Sequence, residues 1–522
     1  MRSLPTPGIV IVTSPFSRRD FLKLGGLIPL SLASPELFKL LATFGSAQTA
    51  GQNVIVVVFD AFSGMNMPLN GYTRATTPNL ARLARRAIVY HNHYAGSNFT
   101  TPGTASLLTG TLPWTHRALQ AKNLVVPPFQ QKNLFGVFQD YYRIGYSHNG
   151  WANILLEQAR DGIDELLAWK TLFLGSYDSF IHSLFANDDD IASVSWTRNV
   201  NLKDEGYAYS LLFSHLHQVL QESRDPALRR LFPRGVPSSG DVSSHFLLET
   251  AVDWISGRLT RISRPFAGYF HLLPPHGPYN TSVEFFNQFK DDGFRPVPKP
   301  EDVFSEEVPP DTLMRRRTDY DEFILYVDRE FGRFYDSLES SGLLANTWVV
   351  LTSDHGEMFE RGISAHSTDA LYEPVIRIPL LIFEPGREQG MDIHALTSAV
   401  DVLPTLAHVT GHPIPDWTEG VIMPPYADLD PERSLYVVRA AKNDPAAPLT
   451  RASTVLLNGR YKLLYYFGYP NKGIDELVKL YDIQADPEEL VDLSSLQKDV
   501  AAEMLMALKQ KIAETNRPYL AG

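Results

Sequence analysis

A chain of 522 residues exceeds one typical core, so the expected organisation is two lobes or one large α/β domain with a smaller appendage. Hydrophobic residues at 44% and aromatics at 11% suffice to bury a large core, which excludes a disordered chain, and a net charge of −12 supplies no basic face for nucleic acid. The absence of cysteine excludes disulfides, thiolate metal sites and a cysteine nucleophile.

At the N-terminus, Ser17-Arg-Arg-Asp-Phe-Leu-Lys23 precedes the apolar run Leu24–Ala33, and Gly45-Ser-Ala47 offers a small-residue cleavage site. Residues 1–47 thus resemble a bacterial twin-arginine export signal, which predicts export to the periplasm or the cell exterior. That route carries folded proteins, so a metal can be loaded first. Lys23, Glu36 and Lys39 interrupt the run, and no later stretch reaches the roughly 20 apolar residues that a membrane span needs.

Asn53–Phe59 is a β-branched run ending in Asp60. It predicts a buried parallel strand that delivers a carboxylate to the C-terminal sheet edge, where open α/β sheets bind ligands. A helix-capping role for Asp60 fits the same pattern. Thr77–Arg86 reads as a helix with Pro78 at its start and apolar spacing at Leu80, Leu83, Ala84 and Ala87.

Phe99–Gly110 places the hydroxyl of Thr100 on a turn that opens a helix. Thr101 suits the N-cap, Pro102 the first helical position, and Gly110 the stop. Unpaired N–H groups and the helix dipole make such an end a seat for phosphate or sulfate. Tyr142–Tyr146 is a short strand leading to Ser147-His148-Asn149, where His148 and Asn149 are candidates to contact a substrate anion. A satisfied loop histidine is the alternative for His148.

Residues 155–263 read as a helical insertion, acidic at Asp188–Asp190 and rich in Pro, Gly and Ser over Pro233–Gly240. A lid, a pocket wall or a buttress fits it. Strand Pro265–Phe270 is followed by His271 and by His276 in a loop stiffened by prolines. After a helix over Thr318–Ser341, strand Asn346–Ser353 ends in Asp354-His355-Gly356-Glu357. Its adjacent carboxylate and imidazole are a good metal-ligand pair. His366 lies in the next loop, and Ile378–Phe383 forms a further strand.

Alternating strands and helices predict a large, mostly parallel sheet flanked by helices over residues 51–425. A smaller C-terminal α+β subdomain, 426–522, is expected to hold antiparallel strands at Ser434–Arg439, Ala452–Leu457 and Tyr461–Tyr466. A loop at Leu480–Leu493 and a closing helix at Lys498–Glu514 would complete it.

In order and spacing these segments resemble the sulfatase branch of the alkaline phosphatase superfamily. The likeness runs through Asn53–Asp60, Gly71-Tyr72 with Thr77–Leu80, Thr100–Gly110 in the place of the signature, Pro275–Tyr279, Leu325–Asp328 and Thr352–Glu357. It continues through Leu371–Glu373, Arg377–Leu380, Val400–Thr405 and Leu480–Asp482 with Asp486–Glu488. The resemblance implies that Asp60, Asp354 and His355 hold one divalent metal ion beside Thr100, itself a metal contact and the nucleophile. It also implies that His276 and His366 contact the anionic oxygens or the leaving group, and that a covalent Thr100 ester is released by water.

Three departures shape the transfer. Most sulfatases carry Cys or Ser at the Thr100 position for conversion to formylglycine, and threonine cannot yield that aldehyde. Thr104 stands where the signature has Arg, and Ala61 replaces a second acidic ligand. The pattern is similar to threonine-nucleophile phosphodiesterases and phosphonate or phospholipid-headgroup enzymes of the superfamily. Fewer carboxylates shift the expected ion from Ca²⁺ toward Mn²⁺ or Zn²⁺, with Ca²⁺ and Mg²⁺ still open. A second metal through His271, His276 and His366 is an alternative.

The expected protein is an exported metal-dependent hydrolase of phosphoric, phosphonic or sulfuric esters of small molecules, glycans or lipids. Two alternatives are a phospho-headgroup transferase and a non-catalytic binder of sulfated or phosphorylated glycans.

Overall fold

Seven residues, Asn53–Phe59, form β1, and all seven are buried. Its side chains alternate between two apolar layers, Ile55, Val57 and Phe59 entering one and Val54, Val56 and Val58 the other. A strand apolar on both faces must be covered on both faces, which sets a three-layer α/β arrangement. This computed structural model describes residues 51–174, 226–239, 245–428 and 430–520. The export-signal segment and the middle of the expected insertion, with Asp188–Asp190, lie outside the described residues.

Among the described residues the main sheet has eight strands in the order β10-β2-β9-β6-β1-β5-β3-β4. In chain order these are β1, β2 (Ile88–Tyr94), β3 (Tyr142–Ser147), β4 (Glu165–Leu166), β5 (Phe266–Leu272), β6 (Thr347–Thr352), β9 (Leu380–Phe383) and β10 (Met391–Ser398). Only β9 runs antiparallel to its neighbours. The small hairpin of β7 (Phe359–Glu360) and β8 (Ile363–Ser364) lies between β6 and β9 in the chain.

Among the principal helices, α1 (Pro78–Leu83), α4 (Leu248–Leu259) and α5 (Pro310–Ser340) cover one face. The other face carries α2 (Thr100–Thr109), α3 (Gly150–Gln158) and α7 (Val402–Val409), while α6 (Glu373–Ile376) borders the C-terminal subdomain. That subdomain is a four-stranded antiparallel sheet of β11 (Ser434–Arg439), β12 (Ala452–Asn458), β13 (Tyr461–Tyr469) and β14 (Ile474–Asp482), packed by α8 (Lys498–Asn516). Its other face meets Tyr372, Val375 and Ile376 at α6. There the buried Lys462 ammonium bridges Glu373 at 2.9 Å and Glu489 at 2.7 Å. No helix among the described residues is long and apolar enough to cross a membrane.

Several expectations need correction. The α2 helix begins at Thr100 with Phe99 in the cap position and no side-chain cap, so Thr101 is not the N-cap. The stretch beyond Leu155 is not uniformly helical, since β4 adds a strand at Glu165–Leu166 beside β3. The long helix starts at Pro310 rather than Thr318, with proline in its first turn. Leu480–Asp482 is the end of strand β14, not the start of a loop.

The longest lever in this architecture is Asp328 on α5, whose carboxylate caps α1. It accepts from Asn79 N at 2.7 Å, Leu80 N at 2.8 Å and Asn79 Nδ2 at 3.0 Å, while Thr77 gives α1 no side-chain cap. Asp328→Ala leaves two helix N–H groups without partners at a largely buried site, a cost of about 2–3 kcal/mol. A lowered urea midpoint is expected. An unchanged midpoint would show that the cap does not couple α1 to α5.

Candidate active site

Parallel register brings the site together. Val58 of β1 pairs with His271 of β5 on one side and with Thr352 of β6 on the other. Asp60, His271 and Asp354-His355 therefore reach the same C-terminal edge, and all four are fully buried. The first turn of α2 is pressed against this edge. A Cβ on Gly103 would meet the carbonyl oxygen of Asp354 at 2.3 Å, so only glycine allows the approach that sets Thr100 beside the carboxylates.

Ligand atoms of Asp60, Asp354 and His355 lie within 4.8 Å of one another, the one such group among the described residues. His355 Nε2 stands 3.5 Å from Asp60 Oδ1, 3.6 Å from Asp354 Oδ2 and 3.4 Å from Thr100 Oγ1. Its Nδ1 donates to the carbonyl of Gly356 at 2.9 Å, which leaves Nε2 as the lone-pair nitrogen of the neutral ring. Asp354 Oδ1 accepts from His355 N at 3.0 Å and Ala61 N at 3.2 Å. Asp60 Oδ1 and Asp354 Oδ2 are buried without any hydrogen-bond partner.

Electrostatics state the same demand. Burial and the neighbouring Asp60 charge push the Asp354 carboxyl above its usual range. Burial would raise Asp60 too, but the His271 hydrogen bond and the charges of nearby imidazoles outweigh it and hold that carboxyl well below. Burial lowers His355, which favours its neutral form. Two orphaned carboxylate oxygens facing a neutral imidazole nitrogen fit a divalent cation. His271, His276 and His366 make no second such group among the described residues.

The remaining expected residues separate into two sets. Asn149 joins the cluster: its Nδ2 donates to Asp60 Oδ2 and lies 3.4 Å from Thr100 Oγ1, while its Oδ1 caps α3 at Trp151 N, 2.7 Å away. His366 and His276 also border it. The His366 ring is 4.3 Å from that of His355 and 4.9 Å from that of His276. His366 Nδ1 is held by Glu357 Oε1 at 2.9 Å, and His276 Nδ1 by the carbonyl of Gly277 at 2.7 Å.

His148 stands apart. Its ring stacks on Phe246 at 4.3 Å between Tyr146 and Phe173, neither nitrogen is hydrogen-bonded, and burial lowers its pKa to about 3. It is a neutral aromatic filler in this geometry, and no hydrogen bond ties it to Thr100.

His271 is the residue whose role the sequence reading missed. Its Nε2 lies 3.1 Å from Asp60 Oδ2 and 3.7 Å from Asp354 Oδ2, and its Nδ1 is 3.2 Å from Tyr269 OH and 3.5 Å from Thr104 Oγ1. Thr104 thus supports an imidazole that orients Asp60. The signal was present as a histidine at the next-to-last position of the neighbouring strand.

Residues 52–412 match the family model for Sulfatase, which is more than half of the chain. The chain belongs to the sulfatase family. Residues 366–517 also match the description "N-sulphoglucosamine sulphohydrolase, C-terminal". Among curated relatives, a choline-sulfatase of Rhizobium meliloti is 24% identical, over 85% of this chain and 83% of that protein. An arylsulfatase of Clostridium perfringens is 24% identical over 73% of this chain and 79% of that one.

Solved structures of the same fold include the phosphonate monoester hydrolase of Agrobacterium radiobacter, with a TM-score of 0.60 and 17% identity over 90% of this chain and 96% of that one. Another, solved with D-glucosamine-2-N,6-O-disulfate, has a TM-score of 0.62 and 18% identity over 90% and 99%. As a family member this protein is a hydrolase acting on sulfuric or phosphoric ester bonds.

The facing carboxylates make a two-sided expectation for Asp354→Asn. Without metal, the variant removes one of two buried like charges, so in EDTA its thermal midpoint is expected at or above that of wild type. With added Mn²⁺ only wild type is expected to gain stability, and that gain should shrink as pH falls and protons compete for Asp354 and His355. Equal stabilisation of both proteins by Mn²⁺ would remove this cluster as the metal site.

Proposed function

We propose that this protein is a metal-dependent hydrolase of phosphoric or phosphonic esters in which Thr100 Oγ1 is the nucleophile. The observation that carries the reading is the position of that hydroxyl. It lies 3.4 Å from His355 Nε2 and 3.4 Å from Asn149 Nδ2, at the first residue of α2, beside two buried carboxylate oxygens that lack partners. Asp60, Asp354 and His355 would hold the ion, with Mn²⁺ or Zn²⁺ favoured by the imidazole. A divalent cation there would lower the pKa of the hydroxyl, whose proton passes to solvent water as the oxygen attacks, and would offset charge on the ester's nonbridging oxygens.

The chain's own groups supply the rest. The open N–H groups at the start of α2 receive a nonbridging oxygen, a task suited to a helix N-terminus. Asn149 fixes the orientation of the Thr100 hydroxyl for in-line attack. His366, anchored through Nδ1 to Glu357, presents Nε2 to the leaving-group oxygen and donates its proton. His276, its ring 4.9 Å from that of His366, contacts the anionic oxygens. Water then opens the threonine ester at phosphorus, with His366 returning as base.

Phosphorus is favoured over sulfur by the carbon chemistry of threonine. A single hydroxyl on that carbon gives a sulfated intermediate no second hydroxyl from which to expel sulfate, whereas a threonine phosphate is opened directly by water. Small-molecule and glycan esters are the substrate class, the first supported by the choline-sulfatase and arylsulfatase relatives and the second by the structure solved with D-glucosamine-2-N,6-O-disulfate. Export is part of the reading, supported by the Arg18-Arg19 pattern.

Thr100→Ala is expected to lower kcat/KM by about 10³-fold or more with fold and metal content intact, while Thr100→Ser keeps measurable turnover. Steady-state kinetics on aryl phosphates and phosphonates read this out, and Thr100→Ala activity equal to wild type with metal present would defeat the assignment. His366→Ala is expected to cost about 10²–10⁴-fold on alkyl esters and far less on 4-nitrophenyl esters, whose leaving group needs no proton. Equal losses on both would exclude His366 as the acid.

A further inference from the structure

Near Thr100 lie the buried Asp60 and Asp354, grouped with His355, and a third buried acid, Glu357, holds His366. Among the described residues no lysine or arginine hydrogen-bonds to any of them. A chain of net charge −12 also repels an anionic substrate at long range. Any second negative group on the ester must therefore find a cation at the rim.

One is built there from the C-terminal subdomain. Asn98, two residues before Thr100, donates through Nδ2 to the carbonyls of His366 at 3.0 Å and Thr368 at 2.8 Å, and its Oδ1 accepts from Arg439 Nη1 at 3.4 Å. Asn98 thus ties Arg439 both to the loop that carries His366 and to the segment that leads into Thr100. Arg439 Nε bonds Asp369 Oδ1 at 2.7 Å, and Arg451 Nη2 bonds Asp369 Oδ2 at 3.0 Å.

Two guanidinium groups thus share one carboxylate, which leaves a net positive charge. The three side chains are partly open to solvent, with exposures of 14%, 18% and 20% for Arg439, Arg451 and Asp369. Arg451 Nε is buried with no hydrogen-bond partner, and its guanidinium lies 4.3 Å over the ring of Tyr469. Asp369 follows His366 and the exposed Ser367, so the cluster is anchored to the same loop as the leaving-group histidine.

We propose that Arg439 and Arg451 form an anion subsite for a second negatively charged group of the substrate, a carboxylate, sulfate or phosphate set apart from the scissile ester. Guanidinium pairs suit such planar or tetrahedral oxyanions through charge-assisted hydrogen bonds. The proposal rests on the reading of Thr100 as the reacting centre. The alternative is that the three residues only clamp the subdomain to the 366–369 loop.

The test uses the full-length protein and aryl phosphates that carry a carboxylate on tethers of one to four methylenes, each with its carboxamide twin. Wild type is expected to show a KM about 10-fold lower for the carboxylate at the best tether, with similar kcat. The double variant R439Q/R451Q is expected to lose that preference and to turn over 4-nitrophenyl phosphate at the wild-type rate.

Asp369→Asn separates the two alternatives, because it frees both guanidinium groups. The subsite predicts a retained or larger carboxylate preference, whereas a clamp predicts that D369N behaves like R439Q/R451Q. This single variant also decides the matter if the double variant fails to fold. Absence of any carboxylate preference in wild type, its survival in R439Q/R451Q, or its loss in D369N overturns the subsite. If wild type hydrolyses none of these esters the Thr100 reading fails instead, and calorimetric titration with the same carboxylate and carboxamide pairs still reads the subsite.

Discussion

Two carboxylates, Asp60 and Asp354, are forced together in a fully buried setting by adjacent parallel strands, and the surroundings of Thr100 are arranged around that charge. Like charges about 4 Å apart in a protein interior cost about 4 kcal/mol at an effective dielectric of 20. The fold meets part of this with neutral or positive donors: His271 and Asn149 on Asp60, and backbone N–H groups on Asp354. It leaves one oxygen of each acid without a partner. Such an arrangement costs stability, and a divalent cation held by these residues would offset that cost.

The same constraint explains why the neighbouring elements sit where they do. The N-terminus of α2 brings the positive end of a helix dipole to the carboxylate edge, and Gly103 removes the side chain that would hold it away. All ten residues of α2 are buried, so its position is set by packing on both sides and not by its own amphipathicity. The C-terminal subdomain contributes through buried ion pairs at α6 and through the arginines that reach the 366–369 loop. Its sheet is thus a packing partner that also anchors the loop following His366.

Much of this was legible in the sequence. The continuous β-branched run at Asn53–Phe59 and the Asp-His pair after Thr347–Thr352 signal strand ends delivering ligands, because burial on both faces leaves no polar alternation. Less legible were β2 and β10, where Ile88–Tyr94 and Met391–Ser398 mix histidine, asparagine and aspartate into strands near the sheet edge. The fourth subdomain strand, at the sheet edge, hid behind its charged residues: Asp475 and Glu476 are exposed, and Lys479 turns inward to Asp302 at 2.7 Å. Asn149 and His148 are adjacent in sequence but diverge in space, since one caps α3 into the site and the other enters an aromatic layer. His271 could not be assigned from periodicity alone, because its role depends on cross-strand register with β1.

The central claim is that Thr100 forms the covalent bond. Rapid quenching of the metal-loaded protein during turnover of a slow aryl phosphonate, followed by peptide mass spectrometry, tests it directly. The account predicts a phosphonyl group on the Thr100 peptide that appears within the first turnover and is absent from Thr100→Ala. Full turnover with that peptide unmodified, or with the adduct on His366 or another residue, would contradict it.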